Sequence, residues 1–136
     1  MKLLVMDTGK CGLDLALQAK RAGHEVRLWI PKTRGGTKRE AGVGLVTRVH
    51  DWETSMKWAD LILPTDNAFY IRDLELFFRR GFPIFGCNEA AGKMELDREL
   101  GQKVLADAGV PVIPFQKFTS YNKAIDFVKS TGKTYV

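Results

Sequence analysis

The 136-residue chain has the length of one ordinary domain, or of one domain with a short extension. Its 45% apolar and 27% charged composition is globular and excludes a disordered tail. Its longest apolar runs, about five residues, are far short of the roughly 20 that cross a bilayer. The net charge is +5, but five cations (Lys32, Arg34, Lys38, Arg39, Arg48) against Glu40 place +4 of it within residues 31–48. That concentration argues against a nucleic-acid face spread over the whole domain.

In chain order, Lys2–Met6 is an apolar run closed by Asp7-Thr8-Gly9, which predicts a first buried strand and a turn rather than a signal-peptide core. Leu13, Ala16, Leu17 and Ala19 recur at helical spacing over residues 10–22, with Gly23 as the stop. Val26–Ile30 reads as the second strand, ended by Pro31. Residues 31–44 carry Gly, Lys and Arg without periodicity and read as a loop. Residues 45–49 follow as a third strand, then a short helix over 52–58 with Asp51 placed to cap it. Residues 61–63 form a buried strand stopped by Pro64. A helix over 70–80 turns Leu74, Phe77 and Phe78 inward, and Gly81 ends it. Residues 83–85 predict a fifth short strand. A helix over 98–108 starts at an Asp97 cap and stops at Gly109, with Leu100, Val104 and Leu105 as its apolar face. A strand at 115–118 and a helix over 121–130 complete the series.

Strands alternating with helices imply an α/β fold: a doubly wound parallel sheet of about five strands, covered on both faces. Such a sheet binds ligands beyond the carboxyl ends of its strands, where strand order reverses. The loops at 7–12, 31–44, 64–69 and 86–97 are therefore the ones to watch.

The 7–12 loop, Asp7-Thr8-Gly9-Lys10-Cys11-Gly12, can offer backbone N–H groups to an anion, or it can be a tight turn. It is not the dinucleotide fingerprint, because Asp7 stands where the first glycine belongs. Gly132-Lys133-Thr134 imitates a P-loop ending, but Phe127 occupies the required glycine position. Asp66-Asn67 after the fourth strand can bond sugar hydroxyls or an amine, or form an Asx turn. The 31–48 segment reads as a solvated loop, a loop that orders on a phosphorylated ligand, or a nucleic-acid arm. Cys11 and Cys87 make neither a disulfide framework nor a zinc site, and a reducing cytoplasm is the default. Cys11 has no histidine close in sequence to act as base, and His24 and His50 read as solvated. Trp29, Trp52 and Trp58 read as packing residues.

From residue 81 onward the order of motifs is more telling. Gly81-Phe82-Pro83-Ile84-Phe85-Gly86 is followed by Ala90-Ala91, by Met94-Glu95-Leu96-Asp97-Arg98, and by Ala108-Gly109-Val110-Pro111. This series resembles the hinge of the ATP-grasp superfamily, and most of all the phosphoribosylamine–glycine ligase family. There a glycine–apolar–Pro–apolar–Phe-Gly strand precedes an Ala-Ala, Leu-Glu and Ser-Lys motif, and a helix and Gly-Ile-Pro follow. Asp97-Arg98 stands in place of that serine–lysine pair, and the Arg-Glu-His element of the family's first loop is absent from residues 7–13. The likeness covers residues 81–136 by motif and 1–70 by the pattern of elements.

The resemblance implies a Rossmann-like pre-ATP-grasp domain at 1–90, hinge helices at 91–112, and an incomplete start of the ATP-grasp small lobe at 113–136. It implies an N-terminal fragment of an ATP-dependent carboxylate–amine ligase of purine-biosynthesis type, working through an acyl phosphate. ATP and Mg²⁺ are the implied cofactors of the full-length protein, and a phosphorylated amine and a carboxylate its small-molecule partners. Arg98 is the residue it places toward ATP phosphate. Gly9, Lys10, Asp66 and Asn67 are the candidate substrate contacts, with no catalytic residue, no metal ligand and no membrane contact expected in these 136 residues. A non-catalytic phosphosugar- or nucleotide-binding module is the alternative reading, ahead of a nucleic-acid-binding domain acting through 31–48.

Overall fold

A computed structural model of the chain describes residues 1–9, 11–32, 40–66, 68 and 70–135. They form two compact units, Met1–Gly101 and Gln102–Val136. In the first unit, strand β1 (Lys2–Met6) is followed by α1 (Leu13–Arg21), β2 (Glu25–Trp29), β3 (Thr47–Val49), α2 (Glu53–Met56), β4 (Leu61–Pro64), α3 (Ile71–Arg79) and α4 (Glu89–Leu96). Helix α5 (Arg98–Asp107) begins in the first unit, and α6 (Tyr121–Thr131) lies in the second.

The four strands are all parallel, in the order β3-β2-β1-β4. Strand β1 is central, with Val5 opposite Leu28 on one side and Leu63 on the other. A strand buried on both faces has no polar side to show, which is why Leu3-Leu4-Val5-Met6 is unbroken apolar sequence. Alternation along the strands sends Leu3, Val5, Val26 and Leu28 to one face, against Ala16 and Leu13 of α1. Leu4, Met6, Trp29 and Ile62 go to the other, against Met56 of α2 and Leu74 of α3. Arg27 shares that second face, where its guanidinium donates to Ser55 Oγ (3.2 Å) and lies 4.0 Å from the Trp58 ring centroid.

The sheet has four strands rather than about five. Where the fifth was expected, Ile84 makes a single parallel bridge to Ile62. Ile62 N–H donates to Pro83 O and Phe85 N–H to Ile62 O, both at 2.9 Å. Pro83 has no N–H with which to lengthen the ladder, and Phe85 turns out to solvent at 76% exposure.

Further expectations are corrected. Residues 115–118 form no strand, since no described strand pairs with them and a lone strand has no ladder to join. Residues 89–96, read as part of a loop, form helix α4. The Asn88 side chain accepts from Ala91 N–H at 2.9 Å, and Lys93 pairs with Glu89 at 3.3 Å. The Asp97 cap is as expected, whereas α2 is shorter than 52–58 and has Trp52 at its N-cap position, with Asp51 one residue before it. Asp97 Oδ1 accepts from the N–H groups of Glu99 and Leu100, both at 3.1 Å, and Asp51 Oδ1 accepts from Glu53 N–H at 2.9 Å.

In the second unit, Phe118, Phe127 and Tyr135 stack in sequence at 5.2 and 5.5 Å between ring centroids, and Tyr135 O–H donates to Thr131 Oγ1. Helix α6 buries none of its residues and ends at Gly132 in the left-handed conformation.

Candidate ligand-binding edge

Strands β2 and β3 lie on one side of β1 and β4 on the other, so strand order reverses between β1 and β4. The loops leaving these two strands diverge there and open a crevice at their carboxyl ends. Asp7 and Thr65 are the residues that emerge.

Asp7 is fully buried, at 0% exposure, directly after the apolar run of β1. Its N–H donates to Trp29 O at 2.8 Å, so the polar residue still holds β1 against β2. Its Oδ1 accepts from Thr65 Oγ1 at 3.1 Å, which ties the end of β1 to the end of β4. Its Oδ2 is buried and has no hydrogen-bond partner among the described residues. A buried carboxylate oxygen without a donor forfeits the solvation it had in water, at about 1–3 kcal/mol. It is an acceptor held ready at the switch point.

Gly12 makes this proximity possible. A Cβ there would stand 2.7 Å from Thr65 Cγ2 and 3.0 Å from Val5 Cγ1. Gly86 does the same from the other flank, where a Cβ would stand 2.9 Å from Pro64 Cγ. The two glycines let the first loop and the segment after Ile84 close on β4. Between Pro64, Thr65, Asp66, Gly86 and Cys87 lies a small open cleft of about 360 Å³.

The expected substrate residues divide as follows. Asp66 lines this cleft, and its Oδ1 accepts from Ala68 N–H at 2.7 Å, so the Asx turn forms. Gly9 is exposed in the first loop, and its carbonyl accepts weakly from Cys11 Sγ at 3.7 Å. Lys10 and Asn67 lie outside the described residues. Arg98 is exposed at the first position of α5, beside its Asp97 cap, and lines neither of the two clefts of the first unit.

Sequence reasoning missed Asp7, Thr65 and Cys87. The available signal was an acid closing a buried strand, a position that the dinucleotide fingerprint reads only as a missing glycine. Within the basic segment, Arg34, Lys38 and Arg39 also lie outside the described residues. Arg48 is half-buried on β3, with Nε donating to Leu28 O at 3.3 Å and its terminal nitrogen donating to Ala41 O. Burial pushes its guanidinium below the ordinary arginine range, while the Glu40 and Asp7 carboxylates act the other way.

No family model matches the chain. Over its whole length it is 22% identical to phosphoribosylamine–glycine ligase of Allochromatium vinosum, covering 33% of that relative. It superposes on N5-carboxyaminoimidazole ribonucleotide synthetase from Thermotoga maritima with a TM-score of 0.69 at 17% identity, over 93% of this chain and 36% of that one. For N5-carboxyaminoimidazole synthetase from Staphylococcus aureus complexed with ADP the TM-score is 0.67 at 15% identity, over 94% of this chain and 35% of that one. The chain thus spans about a third of the length of these relatives. Its α/β fold is the one these solved structures share, and the resemblance to phosphoribosylamine–glycine ligase is borne out as a similarity over the whole chain.

Proposed function

We propose that the chain is the N-terminal part of an ATP-dependent carboxylate–amine ligase. In the reaction we infer, a carboxylate is activated as an acyl phosphate and an amine attacks it, forming a C–N bond. The observation that supports this most is the alignment of all 136 residues with a third of a phosphoribosylamine–glycine ligase. The Staphylococcus aureus neighbour, of which this chain matches 35%, is complexed with ADP, which supports an adenine nucleotide as a ligand of the longer protein.

This chain's share of the work is binding. We assign the Asp7–Thr65 pair, Asp66 and the first loop at Gly9 to the amine substrate; Lys10 and Asn67, the other two expected contacts, lie outside the described residues. The buried Asp7 Oδ2 is an acceptor suited to an N–H or O–H of that substrate. Arg98 supplies a cation toward ATP phosphate, a role an exposed guanidinium suits in charge and reach. Among the described residues no three His, Cys, Asp or Glu side chains converge as metal ligands, so no step through Mg²⁺ is derived for them. Two free thiols fit a reducing, cytoplasmic setting, and no described helix is long and apolar enough to cross a membrane.

The test is ADP release by a protein containing this chain and its continuation, assayed with amine and carboxylate together and singly. Release that requires both supports the ligase, as does its loss when residues 1–136 stand alone. Release that needs neither substrate, or turnover by the 136 residues alone, overturns it. A second reading, a non-catalytic phosphosugar- or nucleotide-binding module, is favoured by one observation: both clefts lie wholly within Met1–Gly101. Saturable binding with no release from any longer protein would favour that module.

A further inference from the structure

A second, larger cleft lies over the carboxyl ends of β2 and β3, with a volume of about 650 Å³. It shares no lining residue with the crevice at Thr65 and Asp66. We propose that it binds a phosphorylated ligand carrying a flat aromatic ring, of nucleoside monophosphate chemistry, with the ring against Tyr70 and the phosphate toward Lys32 and Arg48. The inference stands whether or not the chain belongs to a ligase, because it concerns binding to this unit alone.

The volume falls within the roughly 300–1,000 Å³ of ordinary small-molecule sites. One wall is aromatic. Trp29 and Tyr70 meet edge to face, with ring centroids 4.8 Å apart and planes at 84°. Trp29 is only 6% exposed and both rings also meet Trp52, so half-buried Tyr70 carries most of the aromatic surface that the cleft offers a flat heterocycle. Trp29 is itself fixed, since its indole N–H donates to His50 O at 3.3 Å.

The lining also carries two cations. Lys32 stands exposed at the rim, and Arg48 is held in place by the carbonyls of Leu28 and Ala41. Glu40 also lines the cleft and offsets part of the Arg48 charge, leaving Lys32 as the second cation. A ligand with one apolar flat end and one anionic end matches both kinds of lining. A phosphorylated sugar alone would leave the aromatic wall unused.

Tyr70 supplies an independent reason. It is the one described non-glycine residue with positive φ, at +61°. A left-handed backbone at an aromatic residue costs about 1–3 kcal/mol, and such strain concentrates at ligand sites. Here it sets the ring at the start of α3 against Trp29 and into the lining of the cleft.

The experiment is calorimetric titration of the chain with AMP, ribose 5-phosphate and inorganic phosphate, repeated on Lys32→Ala and Tyr70→Gly. AMP is expected to bind saturably and about tenfold more tightly than ribose 5-phosphate, the scale of one aromatic stack. Tyr70→Gly, which relieves the left-handed strain while removing the ring, should weaken AMP about tenfold and leave ribose 5-phosphate unchanged. Lys32→Ala, an exposed change with no bearing on folding, should weaken AMP about threefold. Equal affinity for AMP and ribose 5-phosphate overturns the proposal. So does no saturation by AMP at about 10 mM, or an AMP affinity unchanged in Lys32→Ala.

Discussion

Gly12→Ala is the sharpest perturbation of the crevice between β1 and β4. The added methyl would stand 2.7 Å from Thr65 Cγ2, 3.0 Å from Val5 Cγ1 and 3.3 Å from Asp7 Cβ. Val5 and Asp7 are fully buried, and Thr65 is tied through its hydroxyl to Asp7, so none of the three is the loose end of a flexible chain. Overpacking of this kind costs about 1–3 kcal/mol. Gly12 has φ of −89°, so alanine meets no backbone penalty and gains about 0.4–1 kcal/mol from a less disordered unfolded state. The net expectation is a loss of about 1–2 kcal/mol. Urea unfolding followed by tryptophan emission reads it directly, because Trp29, Trp52 and Trp58 all lie in Met1–Gly101. Gly9→Ala in the same loop is the internal comparison. Among the described residues its Cβ would meet only Cys11 Sγ, at an ordinary 3.6 Å, so its stability should move by less than about 0.5 kcal/mol. A Gly12→Ala midpoint equal to or above that of Gly9→Ala would refute the claim that close packing of the first loop on β4 builds the crevice.

Thr65→Val removes the hydroxyl that donates to the buried Asp7 carboxylate and should cost about 1–3 kcal/mol in the same urea experiment. Gly101→Ala drives a methyl into the Met94 carbonyl oxygen, backbone against backbone where α4 meets α5, and should cost about 2 kcal/mol and speed proteolysis near residue 97. Glu75 is the group to follow with pH. Glu89 N–H, at 3.2 Å, and then the Arg79 side chain, at 3.1 Å, hold its carboxyl below the ordinary glutamate value. A depressed folded value means its stabilisation is present above the unfolded pKa, about 4.3, and is lost as pH falls through the folded value. The decline in thermal stability between about pH 5 and 3 should therefore be shallower in Glu75→Gln than in the native chain, and equal slopes would count against the α3–α4 tie.

What was legible in the sequence follows the strength of local signals. Strand β1 could be read because it is buried on both faces, so its apolar run is unbroken. Helices α1, α3 and α5 could be read because each carries an apolar stripe and a stop glycine at Gly23, Gly81 or Gly109. Helix α4 was hidden because Glu89-Ala90-Ala91-Gly92-Lys93 has no such stripe. Its start is set by Asn88 and by the Glu75 carboxylate reaching from α3 to Glu89 N–H. The fifth strand was over-read because Pro83-Ile84-Phe85 is apolar, whereas pairing is limited by the missing N–H of proline. The site was half legible. Asp66 announces itself as a polar residue after a strand, but Asp7 acquires meaning only when the fold brings Thr65 to it across 58 positions of sequence.

The charge concentrated at residues 31–48 illustrates how folding redistributes what composition counts. On the sequence, Arg48 adds to a +4 cluster. In the fold it bridges β2 to the turn before β3 through the carbonyls of Leu28 and Ala41, and the Glu40 and Asp7 carboxylates offset its field. Its guanidinium therefore acts first as a structural tie at the edge of the sheet. Any anion approaching the β2–β3 cleft meets a fixed arginine whose charge is already partly offset and a rim lysine that is exposed. That combination supports selection by shape more than capture by charge. A bare phosphate gains little from one offset cation and one solvated one, whereas a ring on Tyr70 gains buried apolar area that salt does not screen. Affinity at this cleft should thus depend only weakly on ionic strength, in contrast to the steep salt dependence of a polyanion held by the basic segment.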